Sequence, residues 1–581
     1  MLARLALAVA RRLSDERLAG LVDTVFVRTR RAFAAAIAVP RGAQEARLRM
    51  LLADNADTEI GRRYDFARLR DLDAYRAAVP ICTWDDVAPM VERMIAGERK
   101  LLVAEDPFFY ATTSGTTGRR KLLPVTARFV EECRVANKLL YQTTLKAMPQ
   151  LLKGKRLSLR SPKTEPLGRG LEAGSITVAL GGGFEDEEGL FDAVPVDVFF
   201  VPDFATRYFL ALRFSLQERV TVASAVNPST LVLFARTLAE HGAELAAALE
   251  QGSLGVDVPD EALRARLQGR ARTDAAAAGR VRASMAAHGK ARMKDAFPDL
   301  AGLVCWKGGS APWYLAQLPA SYGELATLDY GYCASEGCFG APVGVEGAAS
   351  VLVPHGHVIE LAPEDELDAV RAGTRPTLLL DQAEVGRRYG VIVTTGAGLY
   401  RYDMNDIVEV TGHVGKAPLV VFRHKAGAMA SLTGEKVGEA HVVDAMAKAG
   451  FHGAGFCAAP TLSPEGARWV IAVDPGEQAH VDLEELARRF EAGLCAANEE
   501  YDAKRKSMRL LPAQAVLLPA GAVVAHRAAR VAAGAPDAHV KVPHVSPDGQ
   551  LVLALGLERT APDVAARLPC RAPAVGAEQR A

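Results

Sequence analysis

The sequence predicts an α/β protein, with a large N-terminal domain of β-sheets and helices followed by a smaller α+β C-terminal domain. Three observations carry this. Residues 1 to about 105 hold Leu, Ala and Arg at helical spacing. From there to Phe422, short β-rich runs alternate with helical ones, the pattern of an α/β fold. After Phe422 the texture changes to a unit of about 150 residues, long enough to fold alone. The boundary is placed near Arg423, giving domains 1–423 and 424–581.

The elements follow in chain order. "MLARLALAVARRL" has an apolar run, Leu5 to Ala10, too short for the core of a signal peptide, and Arg11-Arg12 follow it. Leu2, Leu5, Leu13 and Leu18 sit at roughly helical spacing and predict an amphipathic helix packed on the body. No window reaches the ~18 apolar residues of a membrane span. "DPFFYA" (106–111) reads as a short strand, and a helix is expected from Ala127 to Tyr141. Val222 to Val226 reads as a strand, and Asn227-Pro228-Ser229 turn the chain and cap a helix from Thr230 to about Leu249. Glu261 to Asp295 is helical. "LAGLVCWKGGSAP" is a buried strand ending in a Gly-rich turn, and "ATLDYGYCASEGCFGAP" follows it. "YGVIVTTGAGLYRYDMNDIVEVTG" reads as two or three antiparallel strands. Beyond the boundary come a Gly-punctuated turn and helix ("SLTGEKVGEAHVVDAMAKAG"), a strand ("RWVIAVDP"), a helix from Val481 to Tyr501, and a strand and turn ("AVLLPAGAVVAHRAAR"). The Pro- and Ala-rich tail after Arg559 reads as partly disordered.

Composition narrows the class. The chain is 49% hydrophobic and 24% charged with a formal net charge of zero, which argues against a nucleic-acid or acidic-membrane partner. Its eight cysteines include no CxxC pair and no zinc spacing, so they are read as reduced thiols of a cytoplasmic protein. "GGGFEDEEG" (181–189) is read as a solvated acidic loop, and His355 and His357 as polar strand residues rather than metal ligands.

One stretch asks for a ligand. "TTSGTTGRRK" (112–121) places five hydroxyls and a glycine in six residues, then adds a glycine and three cations. Ser and Thr favour turns, and glycine lets backbone N–H groups approach closely. Such a loop suits a polyphosphate, although an ordinary basic surface loop has the same composition. It is not a Walker A loop, because Gly118 is followed by Arg119 and Lys121 by Leu122. "GYCASEG" does not make a nucleophile elbow at Ser335 either, because Cys333 stands where that motif needs glycine.

Four stretches then stand together near strand ends: Thr113 to Lys121, Lys307 to Pro312, Tyr330 to Gly337, and Tyr400 to Asp406. In this order they resemble the ANL superfamily of adenylate-forming enzymes. Within it, the chain resembles the acyl-acid amido synthetases of the Gretchen Hagen 3 family, bacterial relatives included. The resemblance runs from "LLADNADTEIGRRYDF" (51–66) to "HVKVPHV" (539–545) and is carried most specifically by "TTSGTTGRRKLLPVT" and "GLYRYDMNDIVEVTG".

The resemblance implies a large adenylate-forming domain and a small mobile C-terminal lid, with ATP and Mg²⁺ as cofactors. It assigns Ser114, Gly115, Thr116, Thr117, Gly118 and Lys121 to the β- and γ-phosphates. Gly308, Gly309 and Ser310 match the turn on which adenine lies, and Tyr332 the aromatic covering its other face. Ser335 precedes Glu336, which matches the Mg²⁺ ligand. Asp406 matches the carboxylate that takes the ribose hydroxyls; the family usually has Gly before it, and Asn405 tolerates the same left-handed backbone. Arg423 matches a hinge residue and Lys541 the lid lysine, where His539 and Val540 replace the usual Gln and aromatic. The acyl pocket is expected near "SAVNPSTL" (224–231) and the helix Tyr208 to Arg213, with Arg213, Ser224 and Val226 as its residues. The implied reaction is adenylation of a carboxylic acid, then acyl transfer to an amino acid by a monomeric enzyme. An acyl-CoA ligase using the same first step stays open, as does a non-catalytic nucleotide-binding scaffold. The sequence does not name the acid.

Overall fold

In the computed structural model the described residues are 10–555, apart from 115–119, 160–163, 182–188, 309–310, 427–428, 452–454, 464, 477–480, 524, 527–528, 530–542 and 548. The chain divides into two compact units: Met1–Thr113 with Lys121–His424, and Ser114–Arg120 with Lys425–Ala581. Most of the acidic 181–189 loop, residues 1–9 and the tail after Arg559 lie outside the described residues.

The larger unit begins with short helices, as the Leu/Ala/Arg periodicity implies. Helix Pro40–Asp54 takes proline at its first turn, where a missing N–H costs nothing. Gln44 on this helix donates to the carbonyl of Ile359 (2.8 Å), tying it to a sheet edge. Helix Ala127–Ala147 starts at Thr126, whose hydroxyl accepts from the Phe129 N–H (3.1 Å) and donates to the Gly396 carbonyl (3.0 Å). Residue His357, read from sequence as a polar strand residue, lies in a turn before strand Val358–Pro363. It is fully buried and paired with the equally buried Glu132 of the long helix (3.0 Å). Burial converts an alternating polar residue into an internal tie.

Two sheets of this unit position the site. In the first, Lys155–Ser158, Val220–Ser224, Gly302–Val304 and Ala326–Leu328 lie side by side, all parallel. Strands Val220–Ser224 and Gly302–Val304 are buried throughout, as parallel strands covered on both faces must be. The second is a six-stranded sheet in the order Gly340–Pro342, Ser350–Leu352, Ala417–Lys425, Leu399–Val414, Arg388–Thr395, Val358–Pro363. Its central hairpin is the one the "YGVIVTTG…" pattern predicts. A further four-stranded sheet holds Phe109–Ser114 between Arg120–Val125 and Leu171–Gly174.

The smaller unit is α+β. Strands Gly455–Ser463 and Gly466–Asp474 pair antiparallel, and Gln514–Leu517 joins in parallel. Helices Glu439–Ala449 and Leu483–Ala497 pack closely: a Cβ on Gly493 would lie 2.9 Å from the Ala445 Cα. The "LTGEKVGEAH" turn is anchored by Glu435, which is fully buried and accepts from the N–H groups of Leu432 and Thr433, the Thr433 hydroxyl and the Trp469 indole.

Candidate active site

The carboxyl ends of the parallel strands form one side of the site, the usual place for ligands in open α/β sheets. After Gly302–Val304 the chain passes through Cys305, Trp306, Lys307 and Gly308, and after Ala326–Leu328 through Asp329, Tyr330, Gly331 and Tyr332. Asp329 is buried and accepts from the Lys307 N–H (2.7 Å) and the Gly331 N–H (2.6 Å). Burial pushes its carboxyl up to about 6. Gly308 sits against Trp306 and Phe422; a Cβ there would lie 3.3 Å from the Trp306 Nε1. Gly331 adopts φ +90°, and a Cβ would stand 2.4 Å from the Gly340 carbonyl oxygen, so only glycine makes this turn.

A small hairpin follows. Cys333–Ala334 pairs antiparallel with Gly337–Cys338, and Ser335 and Glu336 are the two residues of its turn. Glu336 is nevertheless only 7% exposed. A Cβ on Gly337 would meet the Phe339 ring at 2.7 Å and the His357 Nε2 at 2.9 Å, which holds the hairpin close to the buried Glu132–His357 pair.

The six-stranded sheet supplies the other side. Strand Leu399–Val414 departs twice from regular pairing with Arg388–Thr395, between Thr395/Leu399 and Val393/Tyr402 and again between Ile392/Asp403 and Gly390/Ile407. Each irregularity contains a non-glycine residue in the left-handed region, Arg401 (φ 52°) and Asn405 (φ 58°). Bulges of this kind re-aim side chains. Asp406, 3% exposed, accepts a 2.8 Å hydrogen bond from the Tyr332 hydroxyl. Tyr402, 1% exposed, has its hydroxyl 2.8 Å from the Lys121 Nζ, which donates to it; the ammonium also lies 5.5 Å from the ring centre. Burial, reinforced by the charge of Glu336 and less strongly by Asp403 and Asp406, pushes the Tyr402 phenol up; burial and Asp406 do the same to Tyr332. Both phenols therefore stay protonated. One lysine, two phenols and two carboxylates thus converge inside the larger unit. Lysine can meet phosphate, and carboxylates can accept ribose hydroxyls or hold a hard cation.

Sequence profiles of the GH3 family N-terminal, central and C-terminal domains match residues 29–327, 350–425 and 440–550. This chain belongs to the GH3 family. Among its relatives, "Probable indole-3-acetic acid-amido synthetase GH3.2" of Oryza sativa subsp. japonica is 29% identical over 448 residues, 73% of this chain and 71% of the relative. "Jasmonoyl--L-amino acid synthetase JAR4" of Nicotiana attenuata is 25% identical over 411 residues, 68% and 70% of the two chains. The solved structure "AtGH3.15 acyl acid amido synthetase in complex with 2,4-DB" superposes with TM-score 0.63 at 18% identity, covering 96% of this chain and 98% of that one, and so shares the fold.

In this GH3 chain the expected site residues are not all placed alike. Lys121, Tyr332, Glu336 and Asp406 come together as described, with half-buried Ser335 beside Glu336 in the hairpin turn and Gly308 at the end of the parallel sheet. Gly115, Thr116, Thr117, Gly118, Gly309, Ser310 and Lys541 lie outside the described residues, and Ser114 ends strand Phe109–Ser114. Arg423 pairs with Glu409 (3.0 Å) one residue before the larger unit ends at His424.

The acyl-pocket residues fare differently. Ser224 and Val226 stand at the carboxyl end of the parallel sheet, where the Trp306 N–H donates to the Val226 carbonyl (2.9 Å). The Ser224 hydroxyl is 2.6 Å from that of Tyr330, and Val226 is 58% exposed. Arg213 is a correction. It is fully buried, and its guanidinium donates to the carbonyls of Ser253 (2.9 Å), Ala248 (3.1 Å) and Arg272 (2.9 Å) and to the Gln217 side chain (3.1 Å). Four of its five N–H donors are committed to joining helices, which leaves no face for a substrate carboxylate. Arg213→Met is therefore expected to lower stability by roughly 3 kcal/mol, through unsatisfied buried carbonyls, without raising KM for the acid. Urea unfolding and steady-state kinetics on the same preparation check both halves.

Two residues of the site went unread in the sequence. Tyr402 lies inside a quoted motif, but its partner Lys121 is 281 positions away. Asp329 precedes "YGYCASEG" directly, and only the folded chain brings Lys307 to it.

Proposed function

We propose that the chain adenylates a small carboxylic acid with MgATP and then passes the acyl group to the amine of an amino acid, releasing AMP. It is an ATP-dependent acyl-acid amide-forming ligase of the GH3 family. The observation that carries the residue-level reading is two buried pairs, Lys121 with Tyr402 and Tyr332 with Asp406, with the charge of buried Glu336 acting on both phenols.

In this reading Lys121 and the 114–118 loop bind the β- and γ-phosphates, with Tyr402 orienting the ammonium. Asp406 accepts the ribose hydroxyls, and the Tyr332 hydroxyl fixes its orientation. Gly308 lets the base lie close to the backbone. Glu336 fits Mg²⁺: it is a buried hard-oxygen donor whose charge acts on Tyr402, the phenol that Lys121 meets. Mg²⁺ takes one or two carboxylates and fills its shell with waters and phosphate oxygens. When bound it supplies charge neutralisation on the phosphates. Carboxylate attack on the α-phosphate breaks the bond to pyrophosphate, and the amine then attacks the acyl carbon and expels AMP. The protein's part is positioning and electrostatic stabilisation. Lys541 serves the first step from a closing C-terminal unit, with Arg423 near the pivot.

Pyrophosphate exchange across aromatic, indolic and aliphatic acids tests the reading. Products formed with mixed amino acids and coenzyme A, resolved by mass spectrometry, separate amide from thioester. Absence of exchange with any acid overturns it, and a thioester without amide replaces the acceptor. Glu336→Gln is expected to cut exchange about tenfold at limiting Mg²⁺, with partial recovery at high Mg²⁺, because one anionic ligand is lost.

A further inference from the structure

We propose that Asp329 is a positioning residue for ATP, whose single carboxylate fixes the two turns that receive the nucleotide base. This rests on the reading of Gly308 and Tyr332 as nucleotide-facing. Asp329 follows strand Ala326–Leu328 and is 3% exposed. One oxygen accepts from the Lys307 N–H at 2.7 Å, the residue before Gly308; the other accepts from the Gly331 N–H at 2.6 Å, the residue before Tyr332. The carboxylate therefore staples neighbouring strand ends at their most irregular point. Lys307 reinforces the clasp, its ammonium donating to the carbonyls of Thr327 (2.9 Å) and Val345 (3.0 Å). On the far side of Tyr332 its carbonyl accepts from the N–H groups of Phe339 and Gly340. Tyr332 is thus held from both directions while its hydroxyl reaches Asp406.

A plain fold-stabilising role predicts something different. A buried carboxylate is a costly way to join two turns, and burial already pushes this one up to about 6. The titratable groups facing it are Lys307, Cys305 and Cys333. Ionised, Asp329 offers both oxygens as good acceptors; protonated, one becomes a hydroxyl and a poor one. Base binding should then weaken as pH falls through about 6, and only if the two turns form the base site.

The test uses the full chain and adenosine as probe, since adenosine has no group titrating in that range. Adenosine affinity is measured by calorimetry between about pH 5 and pH 8, with ATP KM and kcat from pyrophosphate exchange. Wild type should lose adenosine affinity as pH falls through about 6. Asp329→Asn should bind adenosine about tenfold more weakly at pH 7.5, the loss of one hydrogen bond, with no pH slope and kcat within about twofold. A wild-type profile flat with pH, together with an Asp329→Asn affinity equal to wild type, overturns the proposal. A variant that melts earlier but keeps wild-type affinity also overturns it, leaving a structural tie. If wild type binds neither adenosine nor ATP, the functional reading fails and this inference with it.

Discussion

Lys121→Met is expected to slow pyrophosphate exchange on the order of 100-fold. An ammonium within ~4 Å of a phosphate oxygen, at an effective dielectric of ~20, gains roughly 4 kcal/mol. Desolvation takes part of this, but Lys121 is already buried and held by Tyr402, so most of that cost is met in folding. If about 3 kcal/mol reaches the transition state, the factor is on the order of 100, at ~1.4 kcal/mol per decade. If Lys121 holds the β- and γ-phosphates as proposed, amide formation from synthetic acyl-adenylate should be nearly unchanged, because pyrophosphate has already left. Stopped assays supplying ATP plus acid, or the preformed adenylate, separate the steps. Equal losses in both would remove Lys121 from the phosphate site.

Asp406→Ala is expected to raise KM for ATP between about 10- and 100-fold, the range for losing a hydrogen bond to a charged group. It also leaves the buried Tyr332 hydroxyl without its 2.8 Å acceptor, with only the weakly accepting Met404 sulfur at 3.9 Å. The sharper readout uses 2′,3′-dideoxy-ATP. If Asp406 accepts the ribose hydroxyls as proposed, wild type should discriminate strongly against it and the variant should not. Retained discrimination would place ribose recognition elsewhere.

The sequence and the folded chain agree where the information is local. Asn405 was readable as a left-handed substitute for glycine because its short amide tolerates that backbone, and it adopts φ 58°. Asn227 caps its helix through its own side chain, as an N-cap residue should. Helix lengths were read less well. The region Thr230 to Leu249 is two helices, Pro228–Glu240 and Gly242–Gln251, and Val481 to Tyr501 breaks at Asn498, which caps the next helix. In both, apolar spacing continues through the break, so periodicity alone cannot show it. Arg213 was misjudged for a related reason: spacing places a residue on a helix face but does not say whether that face meets substrate or three distant carbonyls. Tyr402 and Asp329 were silent because their chemistry exists only through partners supplied by other strands.

The two sheets that frame the site also set a schedule for its assembly. Strands Arg388–Thr395 and Leu399–Val414 are joined by a short turn, so the pair that carries Tyr402 and Asp406 can close early at small entropic cost. The parallel sheet must instead bring Lys155–Ser158 beside Val220–Ser224, and that strand beside Gly302–Val304, across long connections whose closure is not rewarded until the strands meet. Asp329, Gly308 and Tyr332 wait on that slower event. A chain refolding from the fully unfolded state would therefore close the hairpin that carries Tyr402 and Asp406 before the strand ends that carry Gly308 and Tyr332, and a partly folded chain would hold the Asp406 carboxylate without its Tyr332 partner.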